Sequence, residues 1–134
     1  GAIGKAQLLK IKKLIINNKI KYNILKKNIS NFEKRVLVSN GISNYDTYIF
    51  FTNNKIQKKN ILNILKKNKI GTKNLPDAIK WHCATFWKHV FTKNEIRKID
   101  KSFKYLNSSI AIPILFRKSY SFYEKLAKEI NDSF

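Results

Sequence analysis

The first 29 residues constrain the fold most, because their apolar side chains recur every three or four positions. These side chains are Leu8, Ile11, Ile15, Tyr22, Leu25 and Ile29, with an interruption at Asn18. The pattern predicts one amphipathic helix of roughly 40 Å, which is longer than a small domain needs for itself. We therefore expect part of it to pack against something else. Its lysine-rich face is also typical of helices that bind membrane surfaces or calmodulin, but further apolar elements in the chain favour core packing.

Aromatic and β-branched residues predict three strands. The first two, over residues 36–38 and 45–52, flank a polar loop at residues 39–44. The third covers residues 109–115, where Pro113 favours an edge position or the end of the strand.

Further helices are predicted from periodicity and capping signals. Residues 56–67 form a second amphipathic pattern. Thr92 and Glu95 have the spacing of a capping box, which predicts a helix from there to about residue 105. Ser121 and Glu124 repeat that spacing and predict a last helix to about residue 130.

Together these elements predict an α+β fold, with a long N-terminal helix and a small, mostly antiparallel sheet covered by helices on one face. A further short helix is expected to begin near Pro76. A chain of 134 residues with 43% hydrophobic content can bury one core, so we expect residues 1–134 to form a single domain.

The formal net charge of +20 allows two interpretations. A basic surface attracts polyanions such as nucleic acids, with an affinity that falls as salt rises. Recognition of that kind relies on arginine, however, and the chain has three: Arg35, Arg97 and Arg117. Lysine, asparagine and isoleucine are enriched together throughout the chain, as an AT-rich coding sequence would produce. We favour this second interpretation.

The cysteine content and the apolar runs predict a cytoplasmic protein. Cys83 is the single cysteine, which excludes an internal disulfide and is typical of a reducing compartment. The longest apolar run, residues 110–116, is far shorter than the roughly 20 residues of a membrane span. The chain starts at Gly1 and contains no methionine, so we expect a processed product or an excised segment.

Potentially reactive side chains are densest at Trp81, His82, Cys83 and His89. A metal site would lack its fourth ligand, and a nucleophilic Cys–His pair normally comes from separate segments of a chain. We favour a packed aromatic ridge in which Cys83 is a small hydrophobic residue. Paired carboxylates and glycine-rich phosphate loops are not evident either. We therefore assign no catalytic residue and no metal ligand, and we do not expect a self-contained active site.

Two motifs resemble a known family. The opening Gly-Ala-Ile-Gly-Lys-Ala-Gln-Leu of residues 1–8 resembles the start of the long interdomain helix in the DegT/DnrJ/EryC1/StrS sugar aminotransferases. Residues 70–82, Ile-Gly-Thr-Lys-Asn-Leu-Pro-Asp-Ala-Ile-Lys-Trp-His, resemble the substrate-facing loop of the branch that aminates an octulosonate, the 8-amino-3,8-dideoxy-manno-octulosonate transaminases. Residues 109–130 are similar to the closing strand and helix of the family, so the resemblance covers essentially the whole chain.

The resemblance implies the small C-terminal domain of a fold-type I aminotransferase, with residues 1–30 as the interdomain helix. Pyridoxal 5'-phosphate would be held by an N-terminal domain that this chain lacks, together with the Schiff-base lysine. It implies a homodimer, a sugar substrate and an amino-acid donor. On the loop, Lys73 is expected to meet a carboxylate, Asn74 and His82 to bond hydroxyls, and Trp81 to stack on the sugar ring.

The sequence thus predicts part of a transaminase that moves an amino group, from glutamate, onto a keto or aldehyde sugar, with 3,8-dideoxy-octulosonate as the narrower expectation. The pathway would be surface polysaccharide or lipopolysaccharide biosynthesis. By itself the chain is expected to be inactive. The alternatives are a small basic module that binds nucleic acid, and a split or decayed fragment with no activity of its own.

Overall fold

The apolar spacing of the first 29 residues corresponds to one continuous helix, α1 (Ala2–Asn28), in the computed structural model, which describes residues 2–36, 40–71 and 83–133. Lys26 and Lys27 lie in its last turn, where positive charge is favourable. The helix ends with the side-chain nitrogen of Asn28 donating to the carbonyl oxygen of Ile24 at 2.8 Å.

The other elements follow along the chain. They are β1 (Glu33–Lys34), β2 (Thr47–Phe51), α2 (Lys55–Lys67), a short 3-10 helix (Ala84–Phe86), α3 (Lys93–Lys98), α4 (Asp100–Ser108), β3 (Ser109–Pro113) and α5 (Tyr120–Asn131). The predicted α+β class, with a long first helix and a small antiparallel sheet, is confirmed. Within these ranges, no helix is both long and apolar enough to cross a membrane.

The sheet has the order β1-β2-β3, and both pairs are antiparallel. Tyr48 lies opposite Ile112, and Phe50 lies opposite Ile110. The backbone nitrogen of Arg35 donates to the carbonyl oxygen of Ile49 at 3.2 Å, which continues the β1–β2 pairing by one residue. Side chains alternate between the two faces of a strand, so these two pairs point to one face.

Helices α1, α2 and α5 cover that face and form one core with it. The fully buried large side chains there include Leu25, Ile29, Tyr48, Phe50, Ile61, Leu65, Ile110, Ile112, Tyr123, Leu126 and Ile130. The other face of β2 contacts α4 through Phe51 and Tyr105, whose ring centroids are 5.6 Å apart. The sheet therefore packs mainly through one face, as predicted.

The strand that pairs with β2 lies before the position predicted for the first strand. Val36 is exposed and lies outside any strand, and residues 37–39 lie outside the described residues. The strand that pairs with β2 is instead Glu33–Lys34, which has low β-propensity and is held by its register with Phe51 and Phe50. The third strand ends at Pro113 rather than at residue 115.

Two helix predictions need correction. The capping box of Thr92 and Glu95 is present, but α3 ends at Lys98 and a separate helix begins at Asp100, because the backbone at Ile99 has φ of −100° and ψ of 3°. The last helix is capped by Ser119, whose side chain accepts from the backbone nitrogen of Phe122 at 3.1 Å, and not by Ser121. The helix expected near Pro76 lies outside the described residues.

Candidate functional site

The four residues predicted to face a substrate, Lys73, Asn74, Trp81 and His82, lie in residues 72–82, outside the described residues. The structure shows how the chain is anchored on either side of them. Ile70 belongs to the buried core. Cys83 is also buried, and its sulfur donates to the hydroxyl of Thr85 at 3.4 Å. Ile70 thus provides a buried anchor two residues before the segment, and Cys83 provides one directly after it.

Helix α1 packs against the domain through its C-terminal half alone. Tyr22 and Leu25 are buried, whereas Leu8 and Ile11 are exposed although they belong to the same predicted stripe. The element contacts of α1 are with α5 and β2. In its first three turns, the described part of the chain leaves the side chains of Leu8, Leu9 and Ile11 exposed.

A second apolar row lies on the opposite side of α1. Leu9, Ile16 and Ile20 have exposed fractions of 79%, 61% and 42%. At about 100° per residue they fall within about 40° of one another, facing away from Tyr22 and Leu25. We call Leu8, Leu9, Ile11, Ile16 and Ile20 the uncovered α1 surface. It lies on two sides of the helix, with Leu8 and Ile11 on the first stripe and Leu9, Ile16 and Ile20 on the second row. Exposed large apolar side chains grouped on one helix favour burial against another protein part.

A polar groove lies where the chain enters β2. Arg35, Ser43, Asn44, Asp46 and Thr47 contribute to its lining, and its volume is about 440 Å³. We call it the Arg35 groove. The hydroxyl oxygen of Thr47 is buried and has no hydrogen-bond partner within the described residues. Arg35 forms no ion pair with another described residue. Arg35 and Thr47 thus belong to the lining of one groove, while the hydroxyl oxygen of Thr47 is itself shielded from solvent.

The backbone beside the groove is held in an uncommon conformation. Tyr45 has φ of 53°, in the left-handed region that costs a non-glycine residue on the order of 1–3 kcal/mol. The hydroxyl of Ser43 accepts from the backbone nitrogen of Tyr45 at 3.1 Å. From α1, Asn18 donates to the carbonyl oxygen of Asn44 at 3.3 Å, and the Tyr22 ring lies edge-on to Tyr45 at 5.3 Å. The loop is therefore fixed from two sides.

Lys21 is a fully buried lysine, with an exposed fraction of 1%. Its ammonium donates to the carbonyl oxygens of Leu115 and Phe116, at 2.9 and 3.0 Å, and lies 5.9 Å from the ring centroids of Phe116, Tyr120 and Tyr123. Burial lowers the pKa of Lys21 from its ordinary value of 10.5. Carbonyl dipoles and ring faces stabilise the charge, so this lysine fastens α1 to the turn that follows β3.

Three lysines line a notch at the start of α2, with a volume of about 170 Å³. They are Lys55, Lys58 and Lys104. Two of them are already engaged: Lys58 donates to the carbonyl oxygen of Asn107, and Lys104 pairs with Asp100 at 2.9 Å. Burial lowers the pKa of Lys58. The notch has the positive charge that an anion requires, although much of its donor capacity is used internally.

The aromatic cluster near Cys83 lies closer to the surface than we expected. Trp87 stacks on Phe91 at a centroid distance of 6.2 Å, and Phe86 meets Phe103 edge-on at 5.5 Å. Phe86, Trp87 and Val90 nevertheless remain exposed. The described part of this cluster is thus a surface ridge rather than a packed one.

Within residues 2–36, 40–71 and 83–133, no group of three or more histidine, cysteine or acidic residues gathers in a way that would hold a metal ion. Comparisons with protein-family models, with curated proteins and with solved structures found no match to this chain. The sequence pattern did not single out Arg35 and Thr47 as functional. The available signal was the polar cluster at residues 39–44, which predicted a loop but not that the loop lines a groove together with Arg35.

Proposed function

We propose that this chain is the small C-terminal domain of a fold-type I sugar aminotransferase of the DegT/DnrJ/EryC1/StrS type. In the complete enzyme an amino group would pass from glutamate to a keto or aldehyde sugar, with an octulosonate as the narrower candidate. The observation that carries the proposal is the uncovered α1 surface. It is what an interdomain helix presents when the large domain is not part of the chain.

The physical argument concerns burial. Each large apolar side chain that moves from water into an interface contributes on the order of 1.5–3 kcal/mol when fully buried. Five such side chains on α1 are exposed. Their burial against a neighbouring domain would stabilise the assembly, while leaving them in water favours association with other apolar surfaces. The exposed lysines of α1 would lie at the polar rim of that interface.

The described residues do not fit pyridoxal phosphate. Its chemistry needs an amine free to bond the cofactor, an acidic partner for the ring nitrogen and a phosphate-binding loop. Lys21 is the one fully buried lysine in the described ranges, and two carbonyl oxygens already engage its amine. We therefore assign the cofactor to an upstream domain. This chain's part is to position the segment bearing Lys73, Asn74, Trp81 and His82 over the sugar.

The test is reconstitution. The chain is mixed with pyridoxal phosphate, first alone and then after co-production with the domain encoded immediately upstream. We expect cofactor absorbance that responds to glutamate from the pair and not from the chain alone. If the pair forms no complex, or forms one without a response to glutamate, the proposal is wrong.

Matched variants make the test specific to α1. The triple substitution Leu9→Gln, Ile16→Gln and Ile20→Gln should prevent the pair from forming. The control is Ile56→Gln, at an exposed position on α2, and it should leave the pair intact. Equal effects of the two would mean that α1 is not the interface.

The second candidate, a small module that binds nucleic acid, is supported by the three-lysine notch. Its affinity for a single-stranded oligonucleotide would fall steeply as salt rises, because bound lysines release counterions. Replacement of Lys55, Lys58 and Lys104 by glutamine should then weaken binding and make the affinity depend less steeply on salt concentration. Tight binding that these substitutions weaken, combined with failed reconstitution, would favour this candidate over the aminotransferase.

A further inference from the structure

Helix α1 is positively charged along its whole length. It carries eight lysines and no acidic residue. All of these lysines except Lys21 are exposed. The helix dipole adds partial positive charge at the N-terminal end, where the uncovered α1 surface begins. Whatever covers that surface must therefore accommodate the exposed lysines as well as the apolar side chains.

The lysines flank the second apolar row of α1 closely. At about 100° per residue, Lys5 and Lys12 lie about 40° and 60° to one side of Leu9, and Lys13 lies about 40° to the other side. At 1.5 Å per residue, the row extends about 16 Å along the helix. It is thus a narrow apolar ridge between positive charges, which matches the side-chain ridges of another helix.

The row ends at a groove between α1 and α5, with a volume of about 530 Å³. Ile20, Ile24, Lys27 and Glu124 contribute to its lining. Ile24 packs against the core, whereas Ile20 is exposed, so the groove can receive an aliphatic side chain of a partner. The carboxylate of Glu124 disfavours acidic groups at this end. Acidic groups of a partner are favoured instead at the N-terminal half of the row.

Charge and shape narrow the class of partner. A second copy of this chain would set lysine against lysine, so self-association through the row should be weak at low salt and strengthen as salt rises. A helix that lies in a membrane surface needs a broad apolar face of about 100° or more, and the row spans about 40°. A helix with an aliphatic row flanked by carboxylates complements both the ridge and its lysines.

We propose that the second apolar row of α1 binds an acidic amphipathic helix, with aliphatic side chains on the row and carboxylates paired with Lys5, Lys12 and Lys13. The inference rests on the proposed function, which assigns α1 to the contact with the upstream domain, and it specifies the chemistry of that domain's contact helix. The charge pairs lie at the rim, where they steer association and select the partner.

The experiment uses two synthetic peptides and the full chain. Each peptide has about 20 residues, long enough to span the row as a helix, and carries the same row of leucines. One peptide has glutamate beside the leucines, and the other has glutamine at the same positions. Fluorescence anisotropy of the labelled peptides gives their dissociation constants.

We expect the glutamate peptide to bind about tenfold more tightly at about 0.1 M salt. The difference should shrink to about twofold at about 1 M salt, because the Debye length shortens from about 10 Å to about 3 Å. Equal binding of the two peptides at low salt would overturn the proposal. So would a glutamate peptide that fails to bind while vesicles containing phosphatidylserine do bind, since the surface would then fit a membrane.

Matched lysine variants separate this site from attraction to the overall charge. The row variant replaces three flanking lysines by glutamine: Lys5, Lys12 and Lys13. The control variant replaces three exposed lysines of α2 and α3 by glutamine: Lys59, Lys66 and Lys98. The row variant should bind the glutamate peptide about tenfold more weakly, and the control less than about twofold more weakly. Equal losses would show that net charge alone is responsible and would overturn the site.

The apolar part of the site has its own variant. The triple substitution Leu9→Gln, Ile16→Gln and Ile20→Gln should abolish binding although every lysine remains. Retained binding would reduce the site to a charged patch and overturn the proposal. The outcomes also distinguish this inference from the proposed function. A chain that binds the glutamate peptide but fails to reconstitute contradicts the aminotransferase alone, whereas a reconstituted pair that the row variant leaves intact contradicts the acidic helix alone.

Discussion

The ammonium nitrogen of Lys21 donates a 2.9 Å hydrogen bond to the carbonyl oxygen of Leu115, which lies 94 residues further along the chain. A second bond, of 3.0 Å, reaches the carbonyl oxygen of Phe116. These bonds join the middle of α1 to the turn between β3 and α5. They determine where α1 leaves the domain, and hence where its uncovered surface begins.

We expect Lys21→Met to lower the free energy of unfolding by about 1–3 kcal/mol. The substitution keeps most of the hydrocarbon stem but removes the donor to two carbonyl oxygens. Urea denaturation of the variant and the wild-type chain measures the difference. Lys12→Met is the control, because Lys12 is exposed on the same helix. Equal losses in the two variants would show that the buried bonds of Lys21 contribute nothing.

Tyr48→Phe should raise the free energy of unfolding by about 1 kcal/mol. Tyr48 is fully buried, and its hydroxyl has no hydrogen-bond partner in the part of the chain that the structure describes. Removing that hydroxyl relieves a desolvation cost without breaking a bond. The matched control is Tyr123→Phe, since the Tyr123 hydroxyl donates to Pro113 and accepts from Leu115 at 2.7 Å. That variant should be destabilised, and a loss of stability in both would refute our reasoning on Tyr48.

The burial of Tyr48 also predicts that the protein loses stability at alkaline pH. Burial raises the pKa of Tyr48 well above its ordinary value of 10.0. The unfolded chain therefore releases the phenolic proton first, so stability falls as the pH rises above about 10. In Tyr48→Phe this contribution is absent, and the decrease in unfolding free energy between neutral and alkaline pH should be smaller. Urea titrations at several pH values measure it, and identical pH profiles would contradict the prediction.

The isolated chain should self-associate through the uncovered α1 surface. Glutamine at Leu9, Ile16 and Ile20 should shift the chain towards monomer without lowering its melting temperature, because these side chains are exposed. Sedimentation at several concentrations gives the mass. A wild-type chain that remains a monomer with a cooperative melt at all concentrations would count against this expectation.

Two serine substitutions test which residue caps the N-terminus of α5. Ser119→Ala should cost about 1 kcal/mol of stability, because its hydroxyl caps the backbone nitrogen of Phe122. Ser121→Ala should change stability by a few tenths of a kcal/mol at most, since Ser121 lies inside the first turn. Thermal melts of both variants decide between the two possible caps. A larger loss of stability in Ser121→Ala would instead identify Ser121 as the cap, as the spacing of Ser121 and Glu124 predicted.

Local sequence patterns predicted the helices and caps correctly where the stabilising contacts join residues close in sequence. The apolar spacing predicted α1 to within a residue of its end, and Thr92 and Glu95 form the predicted capping box. Ser119 and Ser121 illustrate the limit of such signals. Only Ser121 has a glutamate three residues later, yet the side chain of Ser119 accepts from the backbone nitrogen of Phe122 and the helix begins at Tyr120. The residues that the family resemblance assigned to the substrate lie outside the described residues and stay a prediction.

The sequence by itself determined the fold class, the long first helix and most of the elements, because periodicity and capping act over three or four residues. Tertiary structure alone decided that the short segment Glu33–Lys34 pairs with β2, that Lys21 is buried, and that Arg35 and Thr47 line one groove. These features depend on contacts between residues far apart in sequence. Their free energy comes from packing and desolvation, for which a single stretch of sequence carries no periodic signal.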